Sequence, residues 1–326
     1  MRVLITGGMG VIGSMVSQRF VQEGHRPVLM ARHLDRNLIQ SIESRVDIEL
    51  GDVLDYPRLL SVIEAHKVTH IVHMAALVGA VSNKNPPQSI HVNVIGVLNV
   101  LEAARFMKVK RVIYTSARGV YGHIAGEHGH PTYKPLDEDH PKNPVRIYES
   151  AKLMGEHMGQ FYQSTYGLEF AALRFSSSYG PGKTVRHGEV ALVSQIIEGA
   201  FSGKPVAVEK GGEQKNDMIY NKDAARGVYL ACMAPKLDCS AYNIGTGVGV
   251  TLNDVAAEVR RILPGAEIKI GPGLHYTGGP THYYSIYDIT RAKQDLGFSP
   301  QYPLSRAVED YVETLKQIQQ KNSNSK

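Results

Sequence analysis

Three glycines spaced three apart, in Gly7-Gly8-Met9-Gly10-Val11-Ile12-Gly13, constrain this chain more than any other feature. They follow an apolar run, Val3-Leu4-Ile5, that reads as a buried strand, and they precede Ser14 to Glu23, which reads as a helix stopped by Gly24. Strand, tight turn and helix in that order let the backbone approach a pyrophosphate while the helix N-terminus faces the phosphates. The pattern therefore predicts a dinucleotide site at Gly7, Gly10, Val11, Ile12 and Gly13.

The rest of the chain repeats the alternation. Strands are expected at 27–31, 47–50, 70–74, 111–115 and 170–175, with helices over 59–65, 90–107 and 148–166 between them. Short apolar strands alternating with amphipathic helices mean an α/β fold with a doubly wound parallel sheet, the Rossmann arrangement, of six or more strands. After Tyr179-Gly180-Pro181-Gly182 the texture changes, with a helix around Glu189 to Phe201 and a short strand near 206–208. The expected division is a dinucleotide-binding domain over 1–178 with a returning segment about 215–263. A smaller, discontinuous α/β substrate domain takes 179–214 and 264–320.

Composition sets the broad class. Hydrophobic residues at 43% and charged residues at 21% describe an ordinary globular chain. The formal charge of +5 comes from scattered Lys and Arg, so a small anionic ligand is expected rather than nucleic acid. No run is long enough to span a membrane, and the N-terminus shows no signal peptide, so a cytoplasmic location is expected. Cys232 and Cys239 offer neither a disulfide framework nor a metal spacing. His123, His128, His130 and His140 sit in a Gly- and Pro-containing loop with no fixed ligand face, and Asp137-Glu138-Asp139 reads as a solvated run; no metal is expected.

The end of the second strand bears on the cofactor. A carboxylate there would accept bonds from the adenine ribose, whereas a cation favours a 2′-phosphate. Ala31-Arg32 carries no acid, and the planar fork of Arg32 suits phosphate, so NADP is favoured over NAD. Asp52-Val53 after the third strand could reach the adenine, or Asp52 could cap the next helix. The small residues of His73-Met74-Ala75-Ala76, Ala75 among them, leave room for a cofactor groove.

Tyr148 and Lys152 stand four residues apart on an expected helix, so both project from one face. A phenol must be lowered roughly 3 pH units to act as a base near neutrality, and an ammonium about 5 Å away supplies most of that. With the glycine turn, this pair makes the sequence resemble the extended short-chain dehydrogenase/reductase family, also known as the NAD-dependent epimerase/dehydratase family. The likeness continues through Gly51-Asp52, Asn93-Val94-Ile95-Gly96, Val120-Tyr121-Gly122, Tyr148-Glu149-Ser150-Ala151-Lys152 with Glu156, Leu173-Arg174-Phe175, Tyr179-Gly180-Pro181 and Tyr242-Asn243-Ile244-Gly245-Thr246-Gly247. It implies that Tyr148 is the acid/base and that Lys152 lowers its pKa and bonds the nicotinamide ribose. It also implies a homodimer through helices near 90–107 and 148–166.

Three positions depart from the family pattern. Its catalytic Ser or Thr falls on Ala117, leaving Ser116, or Thr115, to supply the hydroxyl. Ser177 stands where nucleotide-sugar members carry Asn, and their later Arg-x-x-x-Pro-Gly-Asp signature is absent from 273–288. The last two departures, with Arg32, favour a net NAD(P)-dependent oxidoreductase acting on a secondary alcohol or carbonyl of a small polar, sugar-like molecule. A nucleotide-sugar epimerase or dehydratase that recycles its cofactor is the alternative, and a non-catalytic cofactor-binding protein the second. The contacts that choose the substrate are expected around Arg186, His187, Lys210, Tyr220 and Tyr276.

Overall fold

A computed structural model describes residues 1–187 and 191–324, without the side chains of Ala80, Arg186, His187 and 321–324. The expected start of a helix at Glu189 and the substrate contacts of Arg186 and His187 thus lie outside what is described. The chain opens with β1 (Val3–Thr6), α1 (Val11–Gln22), β2 (Val28–Ala31), β3 (Asp47–Leu50), α2 (Tyr56–His66) and β4 (His70–His73). Two short helices, α3 (Gly79–Lys84) and α4 (Pro86–Ile90), lead through a π-helical turn, His91–Ile95, into α5 (Gly96–Phe106). Then come β5 (Arg111–Ala117), α6 (Ile147–Tyr166), β6 (Glu169–Phe175), β7 (Ser177–Tyr179), α7 (Lys183–His187), α8 (Leu192–Phe201), β8 (Val206–Val208) and β9 (Asn216–Tyr220). The chain closes with α9 (Asn221–Met233), β10 (Ala241–Ile244), β11 (Gly249–Val250), α10 (Leu252–Ile262), β12 (Ile268–Ile270), α11 (Thr290–Leu296) and α12 (Leu304–Asn324).

Seven parallel strands form the main sheet in the order β10-β6-β5-β4-β1-β2-β3. Strands such as β1 and β4 are buried along their whole length because helices cover both faces. Phe20 and Val16 of α1 pack with Val228 and Ala231 of α9 on one face; Leu59, Val100 and Tyr162 of α2, α5 and α6 cover the other. The order reverses between β1 and β4, and the crevice outside the strand C-termini at such a point is where α/β sheets take ligands. Arg111, 1% exposed, ties the sheet to α9: it pairs with Glu169 and donates to the carbonyls of Ala231, Cys232 and Ala234 at 2.7–2.9 Å. Its charge thereby satisfies the free carbonyls at the end of that helix.

Several helices begin earlier than their apolar periodicity suggests. α2 starts at Tyr56, with the Asp55 side chain accepting from Arg58 N and Pro57 in the first turn, where its missing N–H is harmless. The second unit is built on α8, α10 and α12, whose Ile196, Val255 and Tyr311 share one core. It includes a two-stranded sheet, β12-β8, and a three-stranded one, β11-β9-β7. The return to the main sheet is shorter than the expected 215–263. Only α9 and β10 make it, whereas β9 pairs with β7, and Leu252 and Val259 of α10 turn their apolar face to α8 and α12. Conversely α11, expected in the smaller unit, packs on β10 and α9.

Candidate active site

The glycine turn has the shape a phosphate cradle requires. Gly7 adopts φ +71°, and a Cβ there would lie 2.9 Å from Ala75 N; a Cβ on Gly13 would lie 2.1 Å from the Gly7 carbonyl oxygen. The N-terminus of α1 has no side-chain cap at Gly10 and no acid in its first turn, so its amides are open to an anion. Above it the chain leaving β4 is pinned twice. Met74 N and Ala75 N donate to Thr6 Oγ1, and buried Asn93, within the π-helical turn, holds Leu77 by its N–H (2.8 Å) and carbonyl (2.9 Å).

These walls enclose a cavity of ≈ 340 Å³. The sequence-derived cofactor residues Gly7, Gly10, Val11, Ile12, Gly13, Arg32, Asp52, Val53 and Ala75 all line it, together with Ser116, Tyr148 and Lys152. Arg32 is exposed at the far end. Beside it lies a residue that sequence reading missed, Asp35, brought back to the cavity by the turn after β2. Inspecting only the strand's end, at 31 and 32, could not find it. Asp52 lines the cavity and also accepts from Leu54 N (3.0 Å), while the cap of α2 is Asp55.

At the other end Tyr148 and Lys152 share one face of α6, with the Lys152 Nζ 5.7 Å from the centre of the Tyr148 ring. Lys152 is 3% exposed and donates to the Thr115 carbonyl at 2.6 Å. Burial pushes its pKa down to about 7, against the opposing pull of Glu156. Tyr148 is half-buried and its hydroxyl makes no hydrogen bond among the described residues. Burial, aided by the Glu149 carboxylate, raises its pKa. The expected lowering of the phenol is thus absent in the open pocket, because low polarity favours the neutral form of both partners. His73, fully buried below Lys152, is driven to about 3 by burial and stays neutral, its Nδ1 2.7 Å from Thr6 Oγ1.

The expected third hydroxyl is occupied elsewhere. Ser116 donates to Glu156 at 2.5 Å, Thr115 donates to the His73 carbonyl, and Ala117 presents only a methyl group, paired in register with Phe175. Glu156 in turn grips Arg174 in a buried pair, 1% and 3% exposed, with contacts of 2.6–3.2 Å. Arg174 also donates to the Glu138 carbonyl and to Tyr121 Oη, which donates to Asn243 Oδ1. Glu138 is therefore not part of a solvated run: at 4% exposure it accepts from Asn243 N, because the loop after β5 folds over the ends of β6 and β10. Of the loop histidines, His128 stacks edge-on against His140 and His123 lies 5.0 Å from His282.

Of the expected substrate contacts, Tyr220 is buried in the second core and donates to Asp310, so it serves packing. Tyr276 accepts from Asn216 Nδ2 at 2.9 Å. Buried Asp217 organises the neighbouring loop by accepting from Ser176, Thr246 and Gly247. No helix among the described residues is long and apolar enough to cross a membrane.

Residues 3–245 match the model of the NAD dependent epimerase/dehydratase family. The UDP-glucose 4-epimerase of Mycolicibacterium smegmatis is 28% identical over 319 residues, covering 96% of this chain and 98% of that protein. The Thermotoga maritima UDP-glucose 4-epimerase, solved with UDP-glucose, superposes with a TM-score of 0.84 at 27% identity, covering 97% and 99%. The Bacillus cereus UDP-glucuronic acid 4-epimerase, solved with NAD and UDP-4-deoxy-4-fluoro-glucuronic acid, gives 0.80 at 25% identity, covering 97% and 100%.

Proposed function

The chain belongs to the NAD dependent epimerase/dehydratase family, and from that premise we propose that it transiently oxidises the sugar of a nucleotide sugar and returns the hydride to it. The sequence alone had favoured a net dehydrogenase. The relatives that match along almost the whole chain favour the recycling alternative instead. Ala117, Ser177 and the missing Arg-x-x-x-Pro-Gly-Asp pattern alter contacts to the substrate, whereas the hydride chemistry needs only the acid/base beside the cofactor.

The observation that carries this reading is the Tyr148 hydroxyl, without a hydrogen bond among the described residues, in a cleft lined by the glycine turn, with the buried Lys152 on the same helix face. Gly7, Gly10 and Gly13 would hold the diphosphate of the dinucleotide on the α1 N-terminus, and Lys152 its nicotinamide ribose. Bound there, an oxidised nicotinamide supplies the hydride acceptor and a positive charge that favours the phenolate. Tyr148 takes the proton of the sugar hydroxyl as the carbon is oxidised, and gives it back on reduction. Ser116 is a positioning residue: its hydroxyl keeps Glu156 aligned, and Tyr148 works without a second hydroxyl at Ala117.

At the adenine end Arg32 suits a 2′-phosphate and Asp35 a free ribose, so both NADP and NAD are accepted, with Arg32 tilting the choice toward NADP. Arg32→Asp should invert the ratio of affinities; a ratio untouched by the change would defeat this. The exposed apolar residues Ile95 of the π-helical turn and Leu98 and Phe106 of α5, with Met154 and Phe161 of the adjoining α6, form the face through which two copies pair. The reaction itself is tested by mixing the cofactor-loaded protein with UDP-glucose and following nicotinamide absorbance and sugar stereochemistry together. Epimerised sugar without net absorbance change supports recycling; absorbance rising in step with product overturns it.

A further inference from the structure

Two cations outside the lining of the cofactor cavity have no carboxylate partner among the described residues. Arg118 follows directly on Thr115, Ser116 and Ala117 at the end of β5, and is half-buried. Its hydrogen bond goes to Asn216 Oδ1 at 2.7 Å, and Asn216 donates onward to Tyr276 Oη. Lys183, 7% exposed, opens the short α7 and donates to the carbonyl and, at 2.8 Å, the hydroxyl of Ser178. Asn216 lies on β9 and Ser178 on β7, neighbouring strands of one small sheet, so the two cations are held by the same sheet. Burial, aided by the guanidinium of Arg118, brings the ammonium of Lys183 down to about 7. Beside Lys183, the buried Thr184 hydroxyl has no partner among the described residues.

A buried charge is costly unless an opposite charge meets it; Arg111 is so met by Glu169 and Arg174 by Glu156, whereas Lys152, at the cofactor cavity, meets only the Thr115 carbonyl among the described residues. Among the described residues, Arg118 and Lys183 are met only by neutral oxygens. Arg118 lies two positions after Ser116, and Ser178, which holds Lys183, three positions after Phe175; Ser116, Phe175 and Tyr148 all line the cofactor cavity. We propose that Arg118 and Lys183 together bind an anionic group of the substrate, either a carboxylate on the sugar or the diphosphate that carries it, and so fix the sugar against Tyr148. This rests on the nucleotide-sugar reading and deepens it. The bond that Arg118 donates to Asn216 Oδ1 aims its planar fork, which suits two-point contact with either group.

The test measures dissociation constants by calorimetry in the cofactor-loaded Tyr148→Phe protein, which keeps binding separate from turnover. The probes are UDP-glucose and UDP-glucuronic acid. Arg118→Met and Lys183→Met should each weaken binding about 10- to 100-fold, the effect of removing one charge-assisted contact. Arg118→Lys should regain part of the loss, and keeps the test alive should Arg118→Met fold poorly. Weakening confined to UDP-glucuronic acid identifies the sugar carboxylate; equal weakening of both probes identifies the diphosphate. Affinities unchanged in both Met variants overturn the proposal. Absence of binding in the parent protein overturns this proposal and the nucleotide-sugar reading together. Normal charge-dependent binding without epimerisation by the wild type defeats only that reading.

Discussion

Replacing Lys152, the lysine proposed to act with Tyr148, by methionine should make the empty protein more stable while stopping it from working. Lys152 is almost wholly buried, and burial lowers its pKa from an ordinary 10.5 to about 7. At about 1.4 kcal/mol per pH unit, holding the charged amine inside costs the fold roughly 5 kcal/mol below pH 7. Methionine removes that cost but also the bond to the Thr115 carbonyl, worth about 1.5–3 kcal/mol because its donor is charged. Lys152→Met should therefore gain about 2–3 kcal/mol near pH 6.

The sign depends on pH. Between about 7 and 10.5 the unfolded chain keeps a proton that folded Lys152 has lost, so wild-type stability rises with pH through that window. The advantage of the methionine variant should shrink in parallel, vanishing near about pH 9. Lys183 titrates in the same range in both proteins and cancels from the difference. Urea unfolding without cofactor at the two pH values reads the gap directly. A variant less stable than wild type at both, or a gap that ignores pH, would refute the picture of a charge held at the site against its own solvation.

Glu156→Gln leaves Arg174 buried with a neutral partner and should cost about 3–5 kcal/mol in the same urea assay; a loss under about 1 kcal/mol would mean the pair is not desolvated. Gly13→Ala drives a methyl group into the Gly7 carbonyl and should abolish dinucleotide binding, measured by NAD(P)H fluorescence, which the absence of tryptophan leaves free of indole transfer. Retained binding would place the phosphates elsewhere. Phe161→Asp, on the exposed face of α6, should yield monomers by light scattering if the α5–α6 face joins two copies; an unchanged mass would move the interface.

The parts of the site legible in the sequence are those that local geometry fixes. A glycine turn between strand and helix, and a Tyr and Lys one helical turn apart, need no distant partner to be recognised. What escaped depends on the chain's return from afar. Asp35 reaches the cavity through a turn beyond the strand, and Asn93 acts by holding Leu77, sixteen positions before it. Glu138 reads as one acid among three until a loop buries it against Asn243. The small sheet of β7, β9 and β11 has strands of two to five residues, too short for a period to show, so the meeting of Arg118, Lys183 and Asn216 there left no trace in spacing. Ala117 was visible as a departure, but only the Ser116–Glu156 bond explains why its neighbour does not take over.

Hydride return at the Tyr148/Lys152 centre is tested most directly with UDP-glucose carrying deuterium on sugar C4. The expected product is the C4 epimer with its deuterium retained, formed by the wild type and slowed about 100- to 10,000-fold in Tyr148→Phe. Deuterium accumulating in the nicotinamide beside one equivalent of oxidised sugar would contradict it.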